Sequence, residues 1–367
     1  MDLEAPTRPT VRVTKPPIPL IWLDTWVFNT FGRMRAGKLP ADEEPLFRGL
    51  FEVLLELRDK VAALCPETGQ FVEIHPVGWS IEAAKSALSM LSGGVKTHYQ
   101  NIIEAQTYRG MQAYAEHRDV IELGYQEAFT EDPIKELLDR DILIRVDMEP
   151  PAEQLAETRA GNARMAASME ALRQERIASK VGLAEQRELE LGGERDGAVE
   201  LTRQVLVPMS RGEAPASVDT LLRYAHRVAR PTRMLGEMLE QATGKQGDFN
   251  DLVAFYESEY YRALPGPRIT AELFARKMVG AETIKPSDVM DMHQISAFLP
   301  FATYIVLDKS MARKVDEAKL DERYDVRVFT RRTLPVLLDE LRGIARAAGG
   351  VRGKLATTAR PRRWPLA

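Results

Sequence analysis

A single cysteine, Cys65, stands in 367 residues. An intrachain disulfide is therefore excluded, and so is a zinc site built on several thiolates. Histidine is scarce too. His75, His98, His117, His226 and His293 form neither an HExxH motif nor a close pair. No apolar run approaches the roughly 20 residues that cross a bilayer. The polar, Pro-rich stretch from Met1 to Lys15 lacks the apolar segment of a secretory signal. Neither sign of charge dominates: the net charge is −4, so nothing global announces a nucleic-acid binder, although a locally basic surface stays open. Neither GxxxxGK[ST] nor a GxGxxG after a strand occurs, which argues against the nucleotide-binding folds that need them. These absences lead to the expectation of a reducing, cytoplasmic setting without membrane attachment.

What is present is ordinary globular material. Apolar residues make up 44% of the chain, enough for a sizeable core, and the length suits one domain with an insertion, or two domains. Residues 1–17 read as a disordered leader. The short apolar run from Ile18 to Leu23, ending in Asp24, reads as a buried strand. A helix is expected over about 44–64, with Leu46, Leu50, Val53, Leu54, Leu57 and Val61 on one face. Residues 71–75 read as a second strand, and Ser80 as the start of a helix to about Leu91. Strand, helix, strand, helix is the signature of a parallel sheet.

From about His98 to Leu264 the strand signal nearly vanishes. Charged helical sequence takes over, above all at 152–206, where the apolar stripe is sparse and Gly192-Gly193 reads as an interruption. Further helices are expected near 218–243 and 248–263. The charge reads as solvated helix surface. Residues 98–265 are accordingly an all-helical insertion, part of it a projecting hairpin, that gates substrate or forms a homo-oligomer interface. After Pro265-Gly266-Pro267 the α/β pattern returns, with helices at 269–279 and from Pro286, a strand at 303–307 ending in Asp308, a last strand at 325–329 and a helix at 334–347. The tail, 347–367, is basic and expected to be flexible.

Acids gather where parallel sheets place their ligands, beyond the carboxyl ends of strands. Asp24 and Asp308 each end an apolar run. Glu82 lies in the first turn of a helix. Asp288 and Asp291, three apart, share a helix face, and one short helix, a Pro turn and a return strand lead from Asp291 to Asp308. Carboxylates massed together repel one another, with raised pKa values, unless divalent cations neutralise them. All-oxygen ligands select Mg²⁺ or Mn²⁺, and such ions support phosphodiester hydrolysis without a side-chain nucleophile. Each acid alone has a plainer role, because acids suit helix starts and turns. Their joint placement carries the reading.

This arrangement resembles the PIN-domain family of metal-dependent ribonucleases. The resemblance rests on Ile21-Trp22-Leu23-Asp24-Thr25, on Glu82 in Trp79-Ser80-Ile81-Glu82-Ala83-Ala84, and on Ser287-Asp288-Val289-Met290-Asp291-Met292-His293 running through Leu299-Pro300-Phe301 to Ile305-Val306-Leu307-Asp308-Lys309. It implies a three-layer α/β/α domain with a central parallel sheet over 18–97 and 266–346, interrupted by the helical insertion. It further implies catalytic Asp24, Glu82, Asp291 and Asp308, with Asp288 joining them as metal ligands for Mg²⁺ or Mn²⁺, and cleavage of single-stranded or structured RNA in a toxin, defence or processing role. Glu73 is the alternative to Glu82. The chain departs from the family pattern at Trp26, Leu307 and Thr303. Trp26 also speaks against a haloacid-dehalogenase-type phosphatase, which needs an acid there. The competing reading is a PIN-like scaffold without metal, acting through its helical insertion.

Overall fold

Apolar runs too short for a helix become strands. The computed structural model describes residues 8–70, 74, 80–129, 132–139, 152–214 and 217–348. Its strands are β1 (Thr10–Thr14), β2 (Ile21–Leu23), β3 (Val120–Gly124), β4 (Tyr304–Val306) and β5 (Arg327–Phe329). They pair in parallel, in two separate sheets, β1–β3 and β2–β4–β5, where the sequence led us to expect one central sheet. Helices make up most of the rest. The chain divides into two compact units. One holds Lys15–His98 and the described residues of 129–151 and 301–348; the other holds 8–14, Tyr99–Ala128 and the described residues of Ala152–Pro300.

In the three-stranded unit, Leu23 aligns with Val306, and Val306 with Phe329. β2 and β4 are buried throughout, as parallel strands covered on both faces must be. Side chains alternate across a strand. Ile21, Leu23, Tyr304, Val306 and Phe329 all belong to a single apolar cluster with Phe28, Phe31, Phe47, Leu50, Leu88 and Leu337. The helices Thr25–Arg35, Glu44–Asp59, Ser80–Ser92 and Leu334–Ala347 therefore cover that face. Phe31 is its hub, edge-on to Phe28, Phe47 and Phe51. Trp22, from the alternate row, is buried and donates its indole N–H to Thr68 Oγ1 at 3.0 Å. The segment before Thr68 runs beside β2: Ile21 N–H donates to the Leu64 carbonyl and Leu64 N–H to the Pro19 carbonyl, both at 2.8 Å. The strand expected at 71–75 lies outside the described residues except for Ile74, which is buried.

The helical unit contains a strand pair that the sequence reading left out. Thr10-Val11-Arg12-Val13-Thr14, inside the expected disordered leader, aligns with Val120–Gly124. It is rich in β-branched residues, and burial alternates along it with Val11 and Val13 on the less exposed side; the partner is over 100 positions away, beyond the reach of any local pattern. The long charged segment forms two helices, Ala152–Ala178 and Leu183–Ser210. The break falls at Lys180, whose φ is 55°, and Gly192-Gly193 lies inside the second helix. The hairpin packs on Pro265–Val279, which buries Ile269, Leu273, Phe274 and Met278. Arg173, 4% exposed, donates to the Gly280 carbonyl at 2.6 Å, and Glu170 accepts the Ile284 N–H at 2.9 Å. Residues 266–300 thus fold with the helical unit, because they supply the apolar surface that the sparse stripes of the hairpin need.

Candidate active site

Asp24 follows β2 and Asp308 follows β4, and these strands are parallel neighbours. Asp24 N–H donates to the Val306 carbonyl at 3.1 Å, continuing the ladder. The register sets Asp24 level with Leu307, so Asp308 lies one residue further along the adjacent strand end. With strands about 4.8 Å apart and a rise of about 3.3 Å per residue, the two backbones are roughly 6 Å apart. Sequence and fold agree here: two acids end adjacent strands at the rim where open parallel sheets bind ligands.

Both acids also start helices. Asp24 is the N-cap of Thr25–Arg35, its Oδ1 accepting Trp26 N–H at 3.3 Å. Asp308 is the N-cap of Lys309–Glu317, its Oδ1 accepting Met311 N–H at 2.8 Å. Each carboxylate satisfies an orphan amide and faces the positive end of a helix dipole. They differ in exposure: Asp24 is 9% exposed, whereas Asp308 is open to solvent. Lys314, buried on the helix that Asp308 caps, donates to Ser310 Oγ at 2.7 Å, which brings a cation to the same helix.

The remaining acids are placed otherwise. Glu82 is in the first turn of Ser80–Ser92 as expected, but its side chain is 79% exposed and faces Lys85 at 3.8 Å. Asp288 and Asp291 belong to the helical unit. Asp288 Oδ2 accepts the Lys285 N–H at 2.7 Å and the buried Lys277 ammonium at 2.7 Å, so it serves as a helix cap and the partner of a buried cation. Asp291 is half-buried on the same helix. His293 stacks on Tyr99 at 5.5 Å and packs against Phe274 at 5.3 Å; burial lowers its pKa, which makes it a neutral packing residue. Glu73 lies outside the described residues. Among the described residues, no group of three or more His, Cys, Asp or Glu side chains is arranged to hold a metal ion.

A polar segment that the sequence reading passed over reaches the end of β2. Glu67, Thr68 and Gln70 are all buried. Gln70 Nε2 donates to the carbonyl of Leu23, the residue before Asp24, at 3.1 Å, while its Oε1 accepts Thr68 N–H at 2.6 Å. Glu67 is held by backbone pairing with Val95 and Thr97 and faces Lys96 at 4.0 Å. Three polar residues between Pro66 and Phe71, directly after the apolar run Val61–Cys65, were the available signal. Thr303, noted for its departure from the family pattern, sits at the other end of β4, where its hydroxyl accepts Leu20 N–H at 3.3 Å. Leu307 is fully buried, so a hydroxyl there would face the core.

Comparison with protein-family models, with curated proteins and with solved structures finds no match for the chain.

Proposed function

We propose that the three-stranded unit hydrolyses phosphodiester bonds with metal assistance, using Asp24 and Asp308 at the carboxyl rim of its sheet. The observation that carries this reading is the pairing of β2 with β4, which sets the two acids at adjacent strand ends. The substrate class, RNA, and the ion, Mg²⁺ or Mn²⁺, come from the PIN resemblance. Two carboxylates fit Mg²⁺ in particular, because that ion keeps several waters and is held by one or two protein acids together with substrate phosphate. Once bound there, it would supply a Lewis acid for the phosphoryl oxygen and a more acidic water.

The protein's own part is positional. Each acid is fixed by its cap hydrogen bond, Gln70 clamps the chain just before Asp24, and the helix after Asp308 carries the buried Lys314 ammonium. Glu82, exposed and within reach of Lys85, would act as an outer ligand at most. Asp288 is left to its cap and ion pair.

A specific observation favours a second reading. Both rim carboxylates do structural duty as N-caps, and no three-member metal cluster occurs among the described residues. That is what a PIN-like scaffold that had lost its metal would retain. Cleavage assays separate the two readings. Labelled single-stranded RNA, structured RNA and single-stranded DNA would be incubated with Mn²⁺, Mg²⁺ or EDTA and with wild type, Asp24→Asn or Asp308→Asn. Asparagine caps helices about as well as aspartate, so these variants remove charge and keep the fold. The nuclease reading expects metal-dependent cutting of RNA that drops at least a hundredfold in both variants. Well-folded wild type that cuts nothing supports the scaffold.

A further inference from the structure

In the helical unit, Pro231 follows a single π-helical turn, Ala225–Ala229. Proline has no N–H to donate and its ring crowds the preceding turn. One wider turn accommodates it, and such turns recur at functional sites. Directly beside this turn is a cleft of about 610 Å³, within the size range of small-molecule sites, about 300–1,000 Å³. Tyr224, Ala229 and Phe249 contribute to its apolar lining, and Arg233, Glu237 and Glu240 to its polar lining.

Three features give the cleft chemistry. Thr232, which also lines it, has a buried hydroxyl with no hydrogen-bond partner among the described residues. Four threonines in other parts of the helices, Thr30, Thr107, Thr202 and Thr243, each donate to the carbonyl four residues back at 2.8 Å. A buried hydroxyl left over is unfavourable unless something else bonds it. Second, one wall is built to an unusually close tolerance: a Cβ on Gly236 would come within 3.0 Å of the Gly247 carbonyl, and a Cβ on Gly247 within 3.1 Å of Gly236 Cα. Third, the charged groups do not cancel. Arg233 pairs with Glu237 at 3.7 Å, leaving the exposed Glu240 carboxylate as the excess charge.

We propose that this cleft binds a small organic cation whose aromatic or apolar body lies against Tyr224, Ala229 and Phe249 and whose protonated amine meets Glu240. The lining favours such a ligand on two counts. Aromatic faces attract cations as well as apolar bodies, and an excess carboxylate disfavours anions. The site lies apart from the strand-end acids in sequence and in function, and it stands whether or not those acids cut RNA.

Two probes with the same aromatic body and opposite charge test it: tryptamine and indole-3-acetate, each titrated into the full chain and followed by ligand-observed NMR. Tryptamine is expected to bind saturably in the micromolar-to-millimolar range and indole-3-acetate at least tenfold more weakly. Glu240→Gln, at an exposed position, should weaken tryptamine about fivefold, the worth of one solvent-exposed charge pair. Ala229→Phe, also exposed, should fill the cleft and abolish binding while leaving the circular dichroism unchanged. Equal binding of the two probes, no binding of tryptamine, or undiminished tryptamine binding by folded Glu240→Gln and Ala229→Phe would overturn the proposal.

Discussion

At the scale of single residues, the same side-chain type plays different parts according to its neighbours. Asp24 and Asp308 cap helices at a sheet rim. Asp288 also caps a helix, but its second task is to neutralise Lys277, which is 4% exposed. Glu282 also faces the Lys277 ammonium, at 3.7 Å and from a more exposed position, so removing Asp288 takes away the closer, more buried partner and costs less than the roughly 3–5 kcal/mol of leaving a buried charge wholly unpaired. Asp288→Ala is therefore expected to destabilise the protein by about 2 kcal/mol, roughly 4–8 °C in Tm for a unit of this size, with and without Mn²⁺ alike. Thermal denaturation followed by circular dichroism measures it. A Tm within a degree of wild type would show that the ion pair is not what holds Asp288. Sequence alone pointed to Asp288 as a metal ligand because its partner sits on another helix, and a one-dimensional pattern shows an acid near a helix start without showing the cation that meets it.

At the scale of elements, the strands that carry the candidate acids were legible because they announce themselves twice: a short apolar run, then an acid where the next helix begins. The Leu334–Ala347 helix was legible for the same kind of reason, an apolar face of the right period opened by Pro335. Pairings between distant segments were not. β1 reads as polar leader until Val120–Gly124 is laid beside it, and Gln70 carries no signal until its amide is seen on the Leu23 carbonyl. Gly192-Gly193 suggested a break on propensity, but the Leu183–Ser210 helix packs on Pro265–Val279, and tertiary contact outweighs about 1 kcal/mol per glycine. The hairpin's attachment has a pH signature. Glu170 is held down to about 2, first by its hydrogen bonds with Arg173 and then by those from the Ile284 N–H and Gln174. A carboxyl with a lower pKa folded than unfolded takes up a proton on unfolding, so its contribution is present at neutral pH and fades as pH falls from about 4.5 towards 2. Glu170→Gln should lower Tm at pH 7 and flatten the fall of Tm across that acid window. An unchanged acid limb would mean that Glu170 contributes nothing to the attachment.

At the scale of the whole molecule, the helical segment is more than an appendage on an α/β core. Residues 8–14, 99–128 and 152–300 form a unit with a sheet of its own, and 266–300 belong to it. Its hairpin packs on Pro265–Val279, so deleting 152–206 would uncover part of the apolar surface of that helix. That deletion is expected to unfold the helical unit, seen as a loss of helix by circular dichroism well beyond the residues removed. A deletion variant that keeps the rest of its helix would restore the view of the hairpin as a detachable accessory. No helix among the described residues is long and apolar enough to cross a membrane. The most direct test of the account concerns the paired acids of the three-stranded unit: Tm measured across a Mn²⁺ titration for wild type, Asp24→Asn and Asp308→Asn. Metal held by the native state adds about 2.7 kcal/mol at a hundredfold excess over Kd. The account predicts a saturable rise in Tm for wild type that is absent from both variants, whose metal-free Tm stays near wild type because asparagine keeps the caps. A flat titration of folded wild type, or an equal rise in all three proteins, would contradict it.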